Sequence, residues 1–248
     1  EILIGLVGSE MCIRDRFQHR GRIIYDDFDW EGDRPLEIPM QDLIIYEMHV
    51  RSFTMNPSSE AKYPGTFAAL CGKIPYLKEL GVNCVELLPI FEFDEFENSR
   101  VINGRRLYNY WGYSTVGFFA PKAGYAATGK YNMEVDELKN FIKNFHKAGI
   151  RVVMDMVYNH TYQSYDSNLN KAAPDCYYRK WADGSFSNGS GCGNEISSER
   201  PMVRKFIVES VLYWVNEYHI DGFRFDLMGL TDMDTCLLYT SPSPRDRS

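Results

Sequence analysis

The apolar residues fall into short continuous runs, and between the runs lie stretches with helical spacing. Leu43–Val50, L-I-I-Y-E-M-H-V, is the first run and has a polar C-terminal end. Phe67, Leu70, Ile74, Leu77 and Leu80 recur every three or four residues, which predicts a helix over 67–80 stopped by Gly81. Val82–Ile90 is the second run. Val135, Leu138, Phe141, Ile142 and Phe145 predict a helix over 135–148 with Gly149 at its end, and Ile150–Tyr158 is the third run. Val203, Phe206, Ile207, Val211, Trp214, Val215 and Tyr218 predict a helix over 200–218, with Ser198 as its cap and Pro201 in its first turn. The fourth run, His219–Leu227, reads H-I-D-G-F-R-F-D-L.

Runs this short and this apolar read as strands covered on both faces, so strand and helix alternate along a parallel sheet. A (β/α)8 barrel and a doubly wound sheet both fit that order. No G-x-G-x-x-G follows any strand, which counts against dinucleotide binding. Two long loops, the aromatic stretch 91–131 and the Gly-, Ser- and Asn-rich stretch 159–199, follow strand C-termini, where barrel enzymes build their sites. The expected fold class is therefore α/β, a (β/α)8 TIM barrel. A complete barrel takes eight strands in about 250 residues, so about the first four βα units are expected here. Residues 17–42 are expected to be an irregular lead-in and 43–235 the N-terminal half of the barrel.

The candidate chemistry lies at the ends of the third and fourth runs. Arg224 and Asp226 are two apart on a strand and so share one face, with Phe223, Phe225 and Leu227 on the other. A guanidinium and a carboxylate on such a strand are either a structural ion pair or a carboxylate held ionised at a barrel mouth. Asp155, Asn159 and His160 close the third strand in D-M-V-Y-N-H, and adjacent barrel strands bring their C-terminal ends to one rim. The loop after the second strand adds Tyr108, Tyr110, Trp111 and Tyr113. Rings beside a carboxylate, an arginine and an imidazole suit a neutral polyhydroxylated ligand, whose apolar faces stack while its hydroxyls are hydrogen-bonded. Trp111 reads equally as a buttress of its loop, and His49 equally as a site residue or a buried hydrogen-bonded one. His146 and His219 stand near helix C-termini, where a cation is mildly favourable, and Asp221 reads as the end of a turn.

Composition narrows the partners. With 17 Tyr and 15 Phe the chain is rich in rings, and its net charge of -7 argues against nucleic acid, which needs clustered Lys and Arg. No run is long or apolar enough for a bilayer and no secretory signal is present, so a bacterial cytoplasmic location is expected. The six cysteines form no C-x-x-C and no regular spacing, which supports neither a zinc site nor a disulfide framework. Leu6–Arg16 and Cys236–Ser248 fit no predicted element and resemble translated sequencing-adapter DNA, so 1–16 and 236–248 are expected to be non-native tails.

The motifs D-M-V-Y-N-H and G-F-R-F-D-L resemble two of the conserved regions of glycoside hydrolase family 13, the α-amylase family. Asn109–Pro121, N-Y-W-G-Y-S-T-V-G-F-F-A-P, and Ile45–Thr54, I-Y-E-M-H-V-R-S-F-T, resemble its debranching branch of glycogen debranching enzymes, isoamylases and type I pullulanases. Residues up to about Ala148 look most like glycogen debranching enzymes. From Gly149 on, D-G-S-F-S-N-G-S-G-C-G-N-E (Asp183–Glu195) included, the chain looks more like a type I pullulanase.

The resemblance implies a hydrolase that cuts α-1,6 branches of glycogen, amylopectin or pullulan by a retaining mechanism, with no organic cofactor. By the same resemblance Asp226 is the nucleophile and Arg224 orients it. His160 and Tyr113 take the sugar at the cleavage point, Asp155 braces its neighbours and Asn159 fixes the loop. Some relatives hold calcium, yet no ligand set for it stands out here. The family's general acid/base glutamate, at the end of a fifth strand, and its stabilising aspartate, after a seventh, have no counterpart in this sequence, so the chain alone is expected to be inactive. An α-1,4-glucan branching enzyme is the alternative within the family; a noncatalytic carbohydrate-binding remnant and a non-folding fragment are the alternatives outside it.

Overall fold

The structure, a computed structural model, describes residues 3–7, 20–24, 27–130 and 133–240. Strand β1 (Leu3–Val7) pairs antiparallel with β2 (Arg20–Ile24). Then come β3 (Ile45–Met48), a single turn α1 (Ser52–Met55), α2 (Phe67–Cys71), α3 (Ile74–Glu79) and β4 (Cys84–Leu87). The first long loop holds β5 (Phe91–Phe93), the hairpin β6 (Arg100–Ile102) and β7 (Arg105–Leu107), and β8 (Thr115–Pro121). The order continues through α4 (Met133–Lys147), β9 (Arg151–Met156), α5 (Asn168–Ala172), α6 (Pro201–Tyr218), β10 (Gly222–Phe225) and α7 (Met233–Thr240).

The frame is a four-stranded parallel sheet in the order β10-β9-β4-β3. Its register pairs Met48 with Leu87, Leu87 with Met154, and Phe223 with Met154, so each row of paired residues shares one face. On one face Met48, Val85, Leu87, Val152, Met154 and Met156 are buried and form part of the core cluster. Leu138, Phe141, Ile142 and Phe145 of α4, and Val203, Ile207, Val211 and Trp214 of α6, complete that core. Burying each such side chain stabilises by about 1.5–3 kcal/mol, which is what holds the helices to the sheet. The other face carries Ile45, Glu47, Glu86, Arg151, Val153, Asp155 and Arg224, and it stays partly open: Ile45 is 51% exposed.

A polar link ties the first long loop into the core. The Trp214 indole and the Ser210 hydroxyl both donate to the Phe118 carbonyl of β8, at 3.0 and 2.8 Å, and the Tyr158 hydroxyl donates to Ser210 at 2.7 Å. The Trp214, Ser210 and Tyr158 donors are thereby satisfied out of water.

The N-terminal end of the sheet is closed by ion pairs. His146, at the end of α4, places Nδ1 2.9 Å from Asp33 and Nε2 2.8 Å from Asp221. Asp33 also meets His219 at 2.8 Å, while Asp221 accepts the Val152 N–H at 2.7 Å. Burial alone would pull the His146 pKa down, but the carboxylates of Asp221 and Asp33 outweigh it and raise the value, which favours the charged ring. Trp30 stacks on His219 with centroids 3.8 Å apart, and Lys143 pairs with Glu31 at 2.9 Å. The lead-in around Trp30 and Asp33 is thus fastened beneath the barrel strands.

Several local expectations are corrected. The helix expected over 67–80 is two helices, because Pro75 has no N–H to continue an α ladder; Gly72 and Lys73 instead turn back onto Ala69 and Leu70. Ser198 does not cap α6, whose N-cap is Arg200 with no side-chain hydrogen bond; the Ser198 hydroxyl accepts the Asp232 N–H at 2.8 Å. The two long loops contain β5 to β8 and α5. His146 in the last turn of α4 and Asp221 at the end of the turn between α6 and β10 stand where the sequence placed them, and in addition they pair with each other out of water. Leu3–Val7 and Cys236–Thr240, for which the sequence predicted no element, lie in β1 and α7; Asp232 starts α7 by accepting the Thr235 N–H at 3.1 Å, and Tyr239 stacks on Phe225 at 4.0 Å. The remainder of the tails, 1–2, 8–16 and 241–248, lies outside the described residues.

Candidate active site

The site grows from the C-terminal ends of β9 and β10. The parallel register sets Arg224 directly beside Asp155, on the face away from the helices. Arg224 Nη1 donates to both Asp155 oxygens at 3.0 Å and to Asp226 Oδ1 at 2.8 Å. One guanidinium therefore serves two carboxylates, and charge-assisted hydrogen bonds of this kind are the strong ones. Burial works against the Arg224 charge, but Asp155 and Asp226 raise its pKa further above an already high value. Burial pushes Asp155 up to about 6, opposed by bonds from the Tyr113 hydroxyl and Arg224, so at neutral pH it is ionised.

Asp226 is held from a second side. Asn159 Nδ2 donates to the Asp226 carbonyl at 3.0 Å and to its Oδ2 at 3.1 Å. The Asp226 N–H continues the ladder to the Met156 carbonyl at 3.0 Å. Its side chain keeps 17% exposure, against 3% for Asp155. Of the two carboxylates only Asp226 is oriented and also open to a ligand.

His160 follows directly. Its Nδ1 bonds to Asn159 Oδ1, and since the Asn159 amide donates to Asp226, the imidazole is the donor in that contact. Burial lowers the His160 pKa, with Asp226 pulling the other way, so the ring is neutral at neutral pH. One asparagine thus couples the imidazole to the carboxylate.

The Tyr113 hydroxyl donates to Asp155 Oδ2 at 2.6 Å, which lays its ring along the rim. Asn109 builds that loop, donating to the Asp94 carbonyl at 3.1 Å and to Ser114 Oγ at 3.0 Å. Gly112 has φ +89°, and a Cβ there would meet Phe93 Cε1 at 2.9 Å, so only glycine lets the chain turn into Tyr113. Trp111 is 64% exposed and edge-on to Tyr113 with centroids 6.3 Å apart. Asp155 bonds to Arg224 and Tyr113 and is 2% exposed, so it faces its neighbours rather than the open rim. His49 is the buried, hydrogen-bonded kind: its Nδ1 accepts the N–H groups of Arg51 and Ser52, which leaves Nε2 to donate to the Tyr110 carbonyl at 2.6 Å. All seven residues singled out from the sequence, Asp226, Arg224, Tyr113, His160, Asp155, Asn159 and Trp111, therefore stand at one end of the sheet. Sequence reasoning missed Asn109 as the organiser of the aromatic loop; its Oδ1 accepts the Gly112 N–H three residues on at 3.3 Å, a local side-chain-to-backbone bond that asparagine favours in turns.

Among the described residues no group of three or more His, Cys, Asp or Glu side chains converges as a metal site would require, and no helix is long and apolar enough to cross a membrane.

The chain is similar to known proteins over most of its length. Residues 47–192 match the family model for the alpha amylase catalytic domain. The chain is 43% identical over 221 residues to chloroplastic isoamylase 1 of Arabidopsis thaliana, covering 86% of this chain and 28% of that protein. It is 40% identical over 224 residues to a glycogen operon protein GlgX homolog of Haemophilus influenzae, covering 87% of this chain and 33% of that one. Among solved structures it is similar to a pullulanase from Paenibacillus barengoltzii in complex with maltohexaose and alpha-cyclodextrin, with TM-score 0.77 and 39% identity, over 83% of this chain and 34% of that one. The chain thus spans a third or less of the length of these curated relatives. The four-stranded sheet is part of a (β/α)8 barrel, as the fold expectation held.

Proposed function

The chain belongs to the alpha-amylase catalytic-domain family, and from that premise we propose that it is the first half of the catalytic barrel of a retaining glycoside hydrolase. The whole protein cleaves α-1,6 branch linkages in α-glucans such as glycogen, amylopectin or pullulan. The observation that carries the reading is Asp226: a carboxylate at a strand end, fixed by Arg224 and Asn159, and still open to a ligand. A nucleophile needs that combination, because it must be ionised, aimed and accessible. Similarity to an isoamylase, a GlgX homolog and a pullulanase supports the α-1,6 linkage over other glycosidic bonds.

On this reading Asp226 attacks the anomeric carbon and forms a covalent glycosyl intermediate, which water then hydrolyses. Arg224 pairs with Asp226 and fixes its orientation. His160, neutral and anchored to Asn159 through Nδ1, stands near Asp226 at the place the sugar would occupy, and Tyr113 gives that sugar a flat face to stack on. Asp155 holds Tyr113 and Arg224 in place. A second carboxyl about 5 Å from the nucleophile must act as acid and then base; it belongs to a fifth strand of the complete barrel. The test is Asp226→Asn in the complete protein. Turnover of pullulan should fall by about 10⁴-fold or more, with the thermal unfolding midpoint unchanged. Wild-type release of linear chains with new reducing ends marks debranching. New branch points instead would mark a branching transferase and overturn the hydrolytic reading.

A further inference from the structure

The turn that carries His160 is gripped from behind by the segment Asn194–Ile196. The Thr161 N–H donates to Asn194 Oδ1 at 3.0 Å, and Asn194 Nδ2 donates back to the Thr161 carbonyl at 2.9 Å. Two residues on, the Ile196 N–H donates to the Asn159 carbonyl at 3.0 Å. His160 lies between these two points of attachment. All the groups are out of water: Asn194 is 2% exposed, Asn159 and Thr161 4%, and His160 6%. The asparagine side chain here copies a strand neighbour, offering one acceptor and one donor to the backbone it faces.

The segment is itself braced. The Asn194 carbonyl accepts the Ser190 hydroxyl at 2.7 Å. Next to it, the buried Glu195 carboxylate accepts the Ser187 hydroxyl at 3.0 Å and the Gly189 N–H, and pairs with Arg179 at 3.4 Å. A Cβ at Gly189 would strike the Glu195 carboxylate, so the glycine-rich loop closes onto Glu195 only because position 189 has no side chain. None of these groups touches Asp226, yet they fix the backbone on either side of the imidazole that does face it.

We propose that Asn194 is a positioning residue of the site: through its paired hydrogen bonds to Thr161 it sets where His160 presents its imidazole beside Asp226. The ligand's identity rests on the α-glucan reading above; the positioning itself does not. Asparagine is suited to the task because alanine lacks both bonding groups. Aspartate keeps the acceptor for the Thr161 N–H but turns a carboxylate toward the Thr161 carbonyl.

The experiment takes the complete protein as wild type, Asn194→Ala, Asn194→Asp, His160→Ala and the double variant Asn194→Ala with His160→Ala. The first readout is the titration of the His160 imidazole followed by NMR. The second is kcat and KM on pullulan. Asn194→Ala should let water reach the ring and move its titration up toward the ordinary imidazole value, and should lower kcat/KM by about tenfold. In the His160→Ala background the same change should alter kcat/KM by less than about twofold, the non-additivity expected of residues acting as one unit. A His160 titration that stays put overturns the proposal, as does an undiminished effect in the His160→Ala background. If Asn194→Ala does not fold, Asn194→Asp, which keeps one of the two bonds, is read in its place by the same criteria. If the wild type releases no reducing ends from pullulan, the α-1,6 reading falls, and the titration by itself decides on Asn194.

Discussion

The two ends of the sheet carry the same charge pattern and put it to different uses. At the C-terminal end Arg224 sits between Asp155 and Asp226. At the N-terminal end His146 sits between Asp33 and Asp221. Each is a cation flanked by two carboxylates across neighbouring elements. The Arg224 side chain keeps 44% exposure and Asp226 17%, whereas His146 keeps 1%, Asp33 5% and Asp221 1%. Arg224 is charged at any working pH, and His146 is charged only while its carboxylates hold it so. In the first trio Arg224 and Asp226 can meet a ligand, with Asp155 buried behind them; the second trio can only hold the lead-in, α4 and the start of β10 together. Similar ion-pair chemistry is thus divided between chemistry and fastening by exposure alone.

Removing the cation from each trio should separate the two roles. Arg224→Ala should lower turnover by about 10²–10³-fold, the usual cost of losing one oriented donor at a reacting group, while the protein stays folded. His146→Ala should instead lower stability by about 3–5 kcal/mol, since it takes away the cation that two buried carboxylates share and leaves Asp33 with His219 and Asp221 with the Val152 N–H. Urea unfolding of the complete protein measures the second and steady-state kinetics the first; if His146→Ala proved as stable as wild type, the division by exposure would be wrong.

A pH series sharpens the same contrast. The His146 pKa is raised above 6.5 by folding, so its contribution is complete below pH 6.5 and is lost as pH rises through the higher folded value. Asp155 behaves otherwise. Its pKa rises from 3.8 to about 6, so its ionisation weakens the folded state between those values and adds nothing further above them. Stability should therefore decline on the alkaline side of pH 6.5 in wild type, and that slope should vanish in His146→Gln while the slope at lower pH remains. Persistence of the alkaline decline in His146→Gln would assign it to other groups.

The smallest effect is expected from Trp111→Ala. With 64% exposure the ring contributes little to the fold, so unfolding should be unchanged. Binding of maltohexaose should weaken by about fivefold to tenfold if the ring stacks on sugar, in keeping with about 1 kcal/mol for one exposed aromatic contact. Unchanged affinity would leave Trp111 as a buttress of the Tyr113 loop.

Much of this was legible in the chain itself. The apolar runs gave β3, β4, β9 and β10 to within about two or three residues at each end, because each run is short and is bounded by polar loops or by residues at helical spacing. Helices α4 and α6 were equally plain from their spacing. The site was legible for a related reason. Arg224 and Asp226 on one strand, and Asp155 with Asn159 and His160 on the next, are polar groups at the ends of apolar runs, where only pairing or function makes them tolerable. The break between α2 and α3 was also written in the sequence, at Pro75, but the apolar spacing runs through it and hides it.

What only the tertiary structure decided depends on partners far away in the chain. His146 meets Asp33 and Asp221, 113 and 75 residues distant, and nothing in its own neighbourhood distinguishes it from a solvated histidine at a helix end. Asn194 meets Thr161 across 33 residues, from within a loop whose composition suggests only turns. Periodicity records which face of an element is buried, since burial acts on every residue of that face. It does not record which polar group meets which, since one hydrogen bond constrains two residues and leaves no repeat. The sequence therefore determined the strands, the helices and the residues at the rim, and the packing of distant segments determined which charges were sealed and which were left open to act.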